Sequence, residues 1–429
     1  MPSIIKNLKA REILDSRGEP TVEVELKTDL GIFRASVPSG KSIGKYEAFE
    51  LRDGEKRYFG KGVLKAVKNI NQIIAPKLKG EDVTEQSKID KILIDLDGTK
   101  NKSRLGTNAI VGVSMAVCRA GAAAKNIPLY KYINKTLKLA EVRPRLTLPI
   151  PCFNIINGGV HAGNDLDIQE FMIIPARIGY AEGVAGGPQT KSFKENLRVG
   201  AEIYHALKDI LEEKFGKTAT NLGDEGGFSP PLEKTKNALD LIIEAIKRAG
   251  YQNKVKIGLD CAASQFFEDK KYILEGKELT SEELLKIYQN LIGEYPISFF
   301  EDPFSEEDLG GWQMLSLNSK FLIVGDDLLV TNPERIKRAQ ELKLCNSLLL
   351  KINQIGTISE ALTAAKLAKS FGWKIIVSHR SGETIDSFIS DFAVGIKADF
   401  IKSGAPARGE RVAKYNRLLK IEEEIYSRN

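Results

Sequence analysis

The sequence of 429 residues predicts an α/β fold, a (β/α)8-type barrel with a smaller N-terminal α+β domain. Three observations predict it. Strand-like alternation near the start gives way to helical periodicity, and beyond about residue 150 short apolar runs alternate with helical stretches. A barrel of about 250 residues plus a smaller partner also suits the length. We therefore expect an N-terminal domain over 1–135, a linker over 136–148 and a barrel over 149–429.

The N-terminal part contains one clear strand and one unusual helix. Residues 21–26, TVEVEL, alternate with period 2 after the turn residues Gly18 and Pro20. From about 58 to 133 the pattern is helical, and 108–124 is rich in alanine and other small apolar residues, which predicts a tightly packed buried helix. Scattered charges over 136–148, followed by Pro149 and Pro151, indicate a linker.

The predicted barrel strands share one feature, a polar residue where the apolar run ends. From Glu301 onward, successive residues at these strand ends lie 23 to 28 positions apart in the sequence, a spacing typical of strand–helix units. Barrel strands are buried on both faces, and charge is tolerated at their carboxyl ends, where such active sites open. The strand-end residues are Asp260, Glu301, Asp326, Lys351, His379 and Lys402.

Two of the intervening helices have clear stop signals. Leu239, Ile242 and Ile246 share one helical face, and Gly250 is expected just beyond the helix end. A second helix is expected over 359–371, with Gly372 following it.

Composition excludes several classes of function. Apolar residues make up 42% and charged residues 28%, as in soluble globular proteins, and the net charge of +6 is spread along the chain, so no nucleic-acid partner is expected. No apolar run approaches the roughly 20 residues of a membrane span, and the start has no secretory signal. The four cysteines show no metal spacing, which favours free thiols and a cytoplasmic location.

The strand-end carboxylates predict a metal site. Asp260, Glu301 and Asp326 follow three successive strands, so their side chains converge on one mouth. Three carboxylates repel one another unless a cation lies between them, and hard oxygen ligands suit Mg²⁺.

Acid and base candidates flank that site. Lys351 ends an apolar strand near the cation cluster, and burial with neighbouring positive charge should lower its pKa toward that of a general base. Glu225 lies in a glycine-rich acidic turn, where crowding should raise the pKa of one carboxyl so that it can act as an acid. Arg380 and Ser381 suit a phosphate group, and Lys402 adds a further charge.

Taken together in their order, these residues resemble the enolase family over nearly the whole chain. The strings that carry the resemblance are ILDSRG at 13–18, YEAFELRDG at 46–54, NGG at 157–159, HAG at 161–163, QEFM at 169–172, GDEGG at 223–227, GLDCA at 258–262, EDP at 301–303, GDDLLVTNP at 325–333, LLLKINQIGT at 348–357, SHRSGET at 378–384 and IKSGAPAR at 401–408. The resemblance implies a barrel that begins with two strands and two helices, and the reversible dehydration of 2-phosphoglycerate to phosphoenolpyruvate. It also implies two Mg²⁺ ions, the second recruited with substrate, and a homodimer or an octamer built from dimers.

The resemblance also implies roles for individual residues. Glu225 is similar to the proton donor, Lys351 to the base at C2 (a lysine base with Mg²⁺ is that superfamily's known pattern), and Glu170 to the functional partner of Glu225. Asp260, Glu301 and Asp326 match ligands of the first Mg²⁺ and Ser42 the ligand of the second. The residues that match substrate-binding positions are His161, Gln169, His379, Arg380, Ser381 and Lys402. Arg17 and Glu423 match residues that pair across a dimer interface.

The chain departs from the family pattern in three places. Lys41 and Ile43 replace an alanine and a threonine in the loop that carries Ser42, so loop closure or metal affinity is expected to differ. Gln265 stands where a glutamate is usual, and 177–190 has the composition of an inserted surface loop.

Three alternatives remain beside this interpretation. The Gly40-Lys41-Ser42 triplet suggests a nucleotide-binding loop, but such a loop needs glycine where Ala35 stands. A catalytically weakened, enolase-like binding or scaffold protein is suggested by the altered loop. A superfamily relative that acts on another carboxylic acid, such as a sugar acid, would keep the same acid and base residues.

Overall fold

A computed structural model describes residues 3–41, 44–54, 56–137, 146–175, 192–317 and 320–426. The N-terminal part opens with an antiparallel sheet in the order β1–β2–β3, formed by Asn7–Leu14, Pro20–Thr28 and Gly31–Ser36. The strand predicted at 21–26 lies within β2, whose alternating burial places its valines and leucine in the core.

Five helices complete the N-terminal part. They are α1 (Leu64–Asn69), α2 (Ala75–Leu78), α3 (Gln86–Asp97), α4 (Thr107–Ala124) and α5 (Leu129–Leu137), with a π-helical turn at Ile70–Ile74 between the first two and a 3₁₀ turn at Arg57–Gly60. Helix α4 confirms the predicted buried helix. It lies close to the sheet because Gly112 has no side chain, and a Cβ there would lie 2.8 Å from a methyl group of Val24.

Helix α4 is also long and apolar enough to cross a membrane. However, 83% of it is buried inside the protein. The central helix of a folded domain meets the same criteria of length and composition, so α4 is explained by packing.

The second part is a closed barrel of eight strands. Strand β5 runs antiparallel to β4 and β6, the remaining pairs are parallel, and β14 closes the barrel by pairing with β4. The barrel strands are β4 (Ile150–Asn157), β5 (Glu170–Ile174), β6 (Lys256–Asp260), β10 (Ile297–Glu301), β11 (Leu322–Gly325), β12 (Ser347–Leu350), β13 (Lys374–Ser378) and β14 (Phe400–Lys402). A small sheet of β7 (Phe267–Glu268), β8 (Lys271–Leu274) and β9 (Lys277–Leu279) follows β6.

The described barrel helices lie between or after these strands. They are α6 (Phe193–Phe215), α7 (Thr235–Arg248), α8 (Ser281–Glu294), α9 (Leu309–Leu317), α10 (Pro333–Glu341), α11 (Ile352–Ile355), α12 (Ile358–Ser370), α13 (Phe388–Gly395) and α14 (Gly409–Tyr426), with 3₁₀ turns at Gly159–His161, Lys217–Thr220 and Ala263–Phe266. The order β4–β5–α6–α7 confirms the expected start with two strands and two helices. Gly250 and Gly372, each with φ +76°, follow α7 and α12 as predicted.

The barrel interior is a packed apolar core. Its buried residues are Ile150, Cys152, Met172, Ile174, Phe299, Val324, Leu349, Ile376 and Phe400. The Phe299 ring fills the space beside Gly258, where a Cβ would lie 2.4 Å from a ring carbon. All four cysteines are buried and unpaired, as the sequence indicated.

The N-terminal part is bonded to the barrel through the start of α12. The fully buried Asp90 accepts hydrogen bonds from the backbone N–H of Ser359 at 2.9 Å and from its hydroxyl at 2.6 Å. Ser114 accepts from the backbone N–H of Ile358 at 2.9 Å. Two of the first free N–H groups of a barrel helix therefore find their partners in the other part of the chain.

Candidate active site

The polar strand-end residues meet at one mouth of the barrel. Asp260, Glu301 and Lys402 are the last residues of their strands, and Asp326, Lys351 and His379 each follow a strand by one position. Glu170, at the start of the antiparallel β5, is paired with Asp260 and so points to the same mouth.

Lys402 links the acidic groups on one side of the mouth. Its Nζ lies 2.8 and 3.0 Å from the two oxygens of Glu301, 3.0 Å from Asp260 Oδ2 and 2.9 Å from Glu170 Oε2. Burial opposes its charge, but these carboxylates outweigh burial, so the pKa of Lys402 lies well above its ordinary value. Lys402 is therefore a fixed positive charge at neutral pH.

Lys351 pairs with Asp326 at the neighbouring strand end. The Lys351 ammonium group contacts Asp326 Oδ2, while Gln354 donates to Asp326 Oδ1 at 2.8 Å. Burial lowers the pKa of Lys351, but the Asp326 charge outweighs burial and the pKa is raised. The expectation of a lowered pKa was wrong for this arrangement, because the sequence does not reveal the ion pair.

A second group of titratable residues shares Glu170 with the cluster around Lys402. His161 Nδ1 lies 3.5 Å from Glu170 Oε1 and 3.6 Å from Glu225 Oε1, and His379 Nε2 lies 3.2 Å from Glu225 Oε2. Asn154 donates to the same Oε2 at 3.2 Å. All five side chains are buried.

The two carboxyl groups of this cluster titrate in opposite directions. Burial and the charge of Glu225 raise the pKa of Glu170 well above its usual range. Burial acts the same way on Glu225, but the two histidines and Arg411 outweigh it, and the pKa of Glu225 lies well below its usual range. Crowding thus raises one pKa as predicted, although the carboxyl affected is Glu170 and not one in the GDEGG turn. Burial lowers the pKa of His161 and that of His379, the latter to about 3.

Arg380 and Ser381 lie where β13 meets the N-terminal part. The Arg380 guanidinium forms a paired contact with the carboxylate of Glu47, at 2.9 and 3.1 Å. Ser381 Oγ accepts from the backbone N–H of Lys41 at 2.9 Å, and Lys41 Nζ lies 2.8 Å from Asp224 Oδ2. Lys41 therefore links the Ser381 segment to the acidic turn that carries Glu225.

Gln265 acts on the site through Gln169. Gln265 donates to Gln169 Oε1 at 2.7 Å, and Gln169 donates to Asp260 Oδ2 at 3.2 Å. A glutamine at 265 suits this chain of hydrogen bonds, because its amide N–H₂ donates to the oxygen of Gln169. The amide N–H₂ of Gln169 is then free to face the carboxylate of Asp260.

Some predicted positions lie outside the described residues: Ser42, Ile43 and all of 177–190, together with 138–145 of the linker. His205 is exposed on α6, as expected for a histidine without a role at the mouth.

The donor set at the mouth fits a hard divalent cation. Asp260, Glu301 and Asp326 offer only oxygen ligands, and all three are buried. Burial and the charges of Asp260 and Asp326 raise the pKa of Glu301, so Lys402 does not fully compensate the local negative charge. In this structure Lys402 contacts Asp260 and Glu301, and Lys351 contacts Asp326. Among the described residues, two groups of three side chains have ligand atoms that all lie within 4.8 Å of one another: His161, Glu170 and Glu225, and Asp302, Asp326 and Asp327. The predicted set of Asp260, Glu301 and Asp326 is not one of them.

Several residues of the site were missed by sequence reasoning. Asn154 is a polar residue inside the apolar strand β4, which is a signal that could have identified it. Glu47 lies within one of the family-like strings. Arg411 gave no signal, since an arginine in a polar helix is normally on the surface.

Comparisons with known proteins agree with this architecture. A family model described as the enolase C-terminal TIM barrel domain matches residues 145–429, and one described as the enolase N-terminal domain matches residues 5–133. The chain is 54% identical to Enolase B of Dictyostelium discoideum over 439 residues, which cover 98% of this chain and 95% of that protein. It is 53% identical to an enolase of Eimeria tenella over 443 residues, which cover 99% of this chain and 96% of that protein.

These matches span both parts of the chain and include every barrel strand whose end contributes to the mouth. The resemblance seen in the sequence is thereby confirmed, and so is the fold of a barrel with a smaller N-terminal domain. The chain belongs to the enolase family.

Proposed function

We propose that the barrel mouth carries out the enolase reaction, the reversible removal of water from 2-phosphoglycerate to give phosphoenolpyruvate, as a hydro-lyase of glycolysis. The observation that carries this proposal is the division of the mouth. Lys351 lies on one side, the Glu170–Glu225 pair with its histidines on the other, and a buried acidic cluster beside them.

Lys351 is the base that removes the proton from C2. In the ion pair with Asp326 it is an ammonium group without a free electron pair, so it has to leave that pair and give up a proton to solvent before the amine can take the proton from C2. Glu225 is the proton donor to the departing hydroxide, and Glu170 is its partner. A single proton shared by this buried pair is consistent with the opposite shifts of their pKa values.

The substrate is held by residues that surround these groups. Arg380 and Ser381 bind the phosphate, and Lys402 offsets the negative charge of the substrate carboxylate. His161, Gln169 and His379 hold or polarise the remaining oxygens.

Asp260, Glu301 and Asp326 would hold the first Mg²⁺, and Ser42 a second that arrives with substrate. Bound there, the ions supply positive charge that stabilises the negative charge developing on the substrate carboxylate. The family implies a divalent metal; the count of two and the ligand set are part of this proposal.

We also propose a homodimer, or an octamer built from dimers, in the cytoplasm, with Arg17 and Glu423 at the interface. Within one chain Arg17 lies 3.0 Å from Asp15 and 3.2 Å from Glu19. The Arg17 side chain is 10% exposed and so only partly accessible to a second copy, whereas Glu423 is exposed. We further propose the domain boundaries predicted from the sequence: an N-terminal domain over 1–135, a linker over 136–148 and a barrel over 149–429.

The test is steady-state turnover of 2-phosphoglycerate, followed by the absorbance of phosphoenolpyruvate, with millimolar Mg²⁺ and after its removal by chelation. We expect turnover with Mg²⁺ and its loss without. Binding of 2-phosphoglycerate without turnover would instead support the scaffold alternative, and turnover of a sugar acid alone would support the superfamily relative.

A further inference from the structure

Arg411 is a charged side chain with no exposed surface, placed on α14 behind the mouth. Its Nη1 lies 2.6 Å from His379 Nδ1 and 2.6 Å from the carbonyl oxygen of Arg380, and its Nη2 lies 2.9 Å from that of Asp224. A further contact reaches the carbonyl of Ser381. One guanidinium group thus fixes the segment after β13 and the acidic turn before Glu225.

Gly404 provides the room for this side chain. A Cβ on Gly404 would lie 3.0 Å from Arg411 Cδ and 2.5 Å from the carbonyl oxygen of Glu225. The absence of a side chain at position 404 therefore leaves room for the arginine at this place.

The contact with Arg411 decides where His379 carries its proton. A guanidinium group is always protonated and offers only donors, so His379 Nδ1 has to accept. The single proton of the neutral imidazole is then on Nε2, which lies 3.2 Å from Glu225 Oε2. Burial and Arg411 both oppose a second proton.

The two oxygens of Glu225 consequently differ in their surroundings. Oε2 accepts a hydrogen bond from Asn154 Nδ2 at 3.2 Å and lies 3.2 Å from His379 Nε2. For Oε1, the one ion-pair contact among the described residues is with His161 Nδ1, at 3.6 Å. An oxygen already supplied with donors binds a proton less readily than one that is not.

We propose that Arg411 is a positioning residue that holds His379 as the Nε2–H tautomer and thereby leaves Oε1 as the oxygen through which Glu225 takes up and delivers the proton shared with Glu170. This proposal rests on the proposed role of Glu225 as proton donor. His379 then acts as a fixed hydrogen-bond donor, and the proton for the leaving hydroxide comes from one defined oxygen.

The tautomer can be measured without turnover, by ¹⁵N NMR of the full chain labelled at histidine. Only three histidines are present, and His205→Gln and His379→Gln assign the signals. We expect His379 to show a protonated Nε2 and an unprotonated Nδ1. In Arg411→Met, which has no donor, we expect a mixture of tautomers, and in Arg411→Lys, which keeps charge and donors, the original tautomer.

The matched control is Arg417→Met, on the same helix, where the arginine pairs with Asp391 at 2.7 Å and Glu424 at 2.9 Å. Dehydration should fall about 10- to 100-fold in Arg411→Met, recover at least several-fold in Arg411→Lys, and stay near wild type in the control. Proton exchange at C2, which depends on Lys351, should change far less than dehydration.

An Nδ1–H tautomer in the wild type, or an unchanged tautomer in Arg411→Met, would overturn the proposal for Arg411 whatever the turnover. Equal losses of exchange and dehydration would overturn it as well, since they indicate a general structural defect. A chain with the expected tautomer and no turnover of 2-phosphoglycerate would refute the proposed function instead.

Discussion

Lys351 and Asp326, which follow the adjacent strands β12 and β11, form a part-buried ion pair at the barrel mouth. The pair holds the proposed base in its protonated form until the carboxylate is engaged elsewhere. It also gives the ammonium group a partner, without which its removal from water would be strongly destabilising.

Replacing Lys351 with alanine should abolish proton exchange at C2 of 2-phosphoglycerate, a loss of at least about 10²-fold, because Lys402, the other lysine described at the mouth, is held as a fixed positive charge by its carboxylate partners. Mg²⁺ binding should remain largely intact, since the carboxylates are untouched. Solvent deuterium exchange and calorimetric Mg²⁺ titration test the two statements. Lys366→Ala, an exposed lysine on α12, is the control; preserved exchange in Lys351→Ala would rule Lys351 out as the base.

Replacing Lys41 with alanine removes the contact with Asp224 beside the acidic turn. Lys41 is 41% exposed, so the free energy of unfolding should change by no more than about 1 kcal/mol. The dependence of activity on the second, weaker Mg²⁺ should change more than the dependence on the first. Lys45→Ala, which removes a similar exposed contact with Glu307, should leave both dependences as they are. If Lys41→Ala also changes neither, the loop substitution has no effect on the metals.

The low pKa of His379 makes stability depend on pH. The folded chain resists protonation of this imidazole down to about pH 3, whereas the unfolded side chain takes up a proton near pH ~6.5. Between these values the unfolded chain binds more protons, so stability falls as pH falls. In His379→Gln the fall should be shallower by up to about 1.4 kcal/mol per pH unit. Urea unfolding at pH 5 to 7 and one protein concentration measures it, with exposed His205→Gln as control; equal slopes for His379→Gln and wild type would contradict it.

Phe299 and Gly258 share the centre of the barrel, so either substitution should be costly. Phe299→Ala should lower the free energy of unfolding by about 3 to 5 kcal/mol through the cavity it leaves. Gly258→Ala should cost about 1 to 3 kcal/mol by overpacking. Denaturant unfolding measures both. The double variant should cost less than the sum, because the added methyl group enters the space that the ring vacates; a cost equal to the sum would show that the two sites relax independently.

The sequence predicted the positions of the site residues well because they are encoded locally. A polar residue directly after an apolar run has to appear at a strand end, and parallel strands bring such ends together. This accounts for Asp260, Glu301, Asp326, Lys351, His379 and Lys402, and for the order of the barrel.

The sequence could not predict what depends on side-chain partners. The pKa of Lys351 follows from the register of β11 on β12, and the opposite shifts of Glu170 and Glu225 follow from where two histidines and Asn154 lie in space. The sequence does not indicate the role of Arg411 for a related reason. Its neighbours after β13 are some 30 residues away in the chain, and nothing in GERVAK distinguishes a buried arginine from a solvated one.

The hydrogen bonds that Asp90 and Ser114 accept from the first turn of α12 make the catalytic barrel incomplete when it stands alone. A protease cut in the linker would leave two fragments that still hold together, whereas synthesis of the barrel without its companion would expose those N–H groups to solvent just beyond Lys351. The two parts of the chain therefore depend on each other structurally, which disfavours splitting the gene between them.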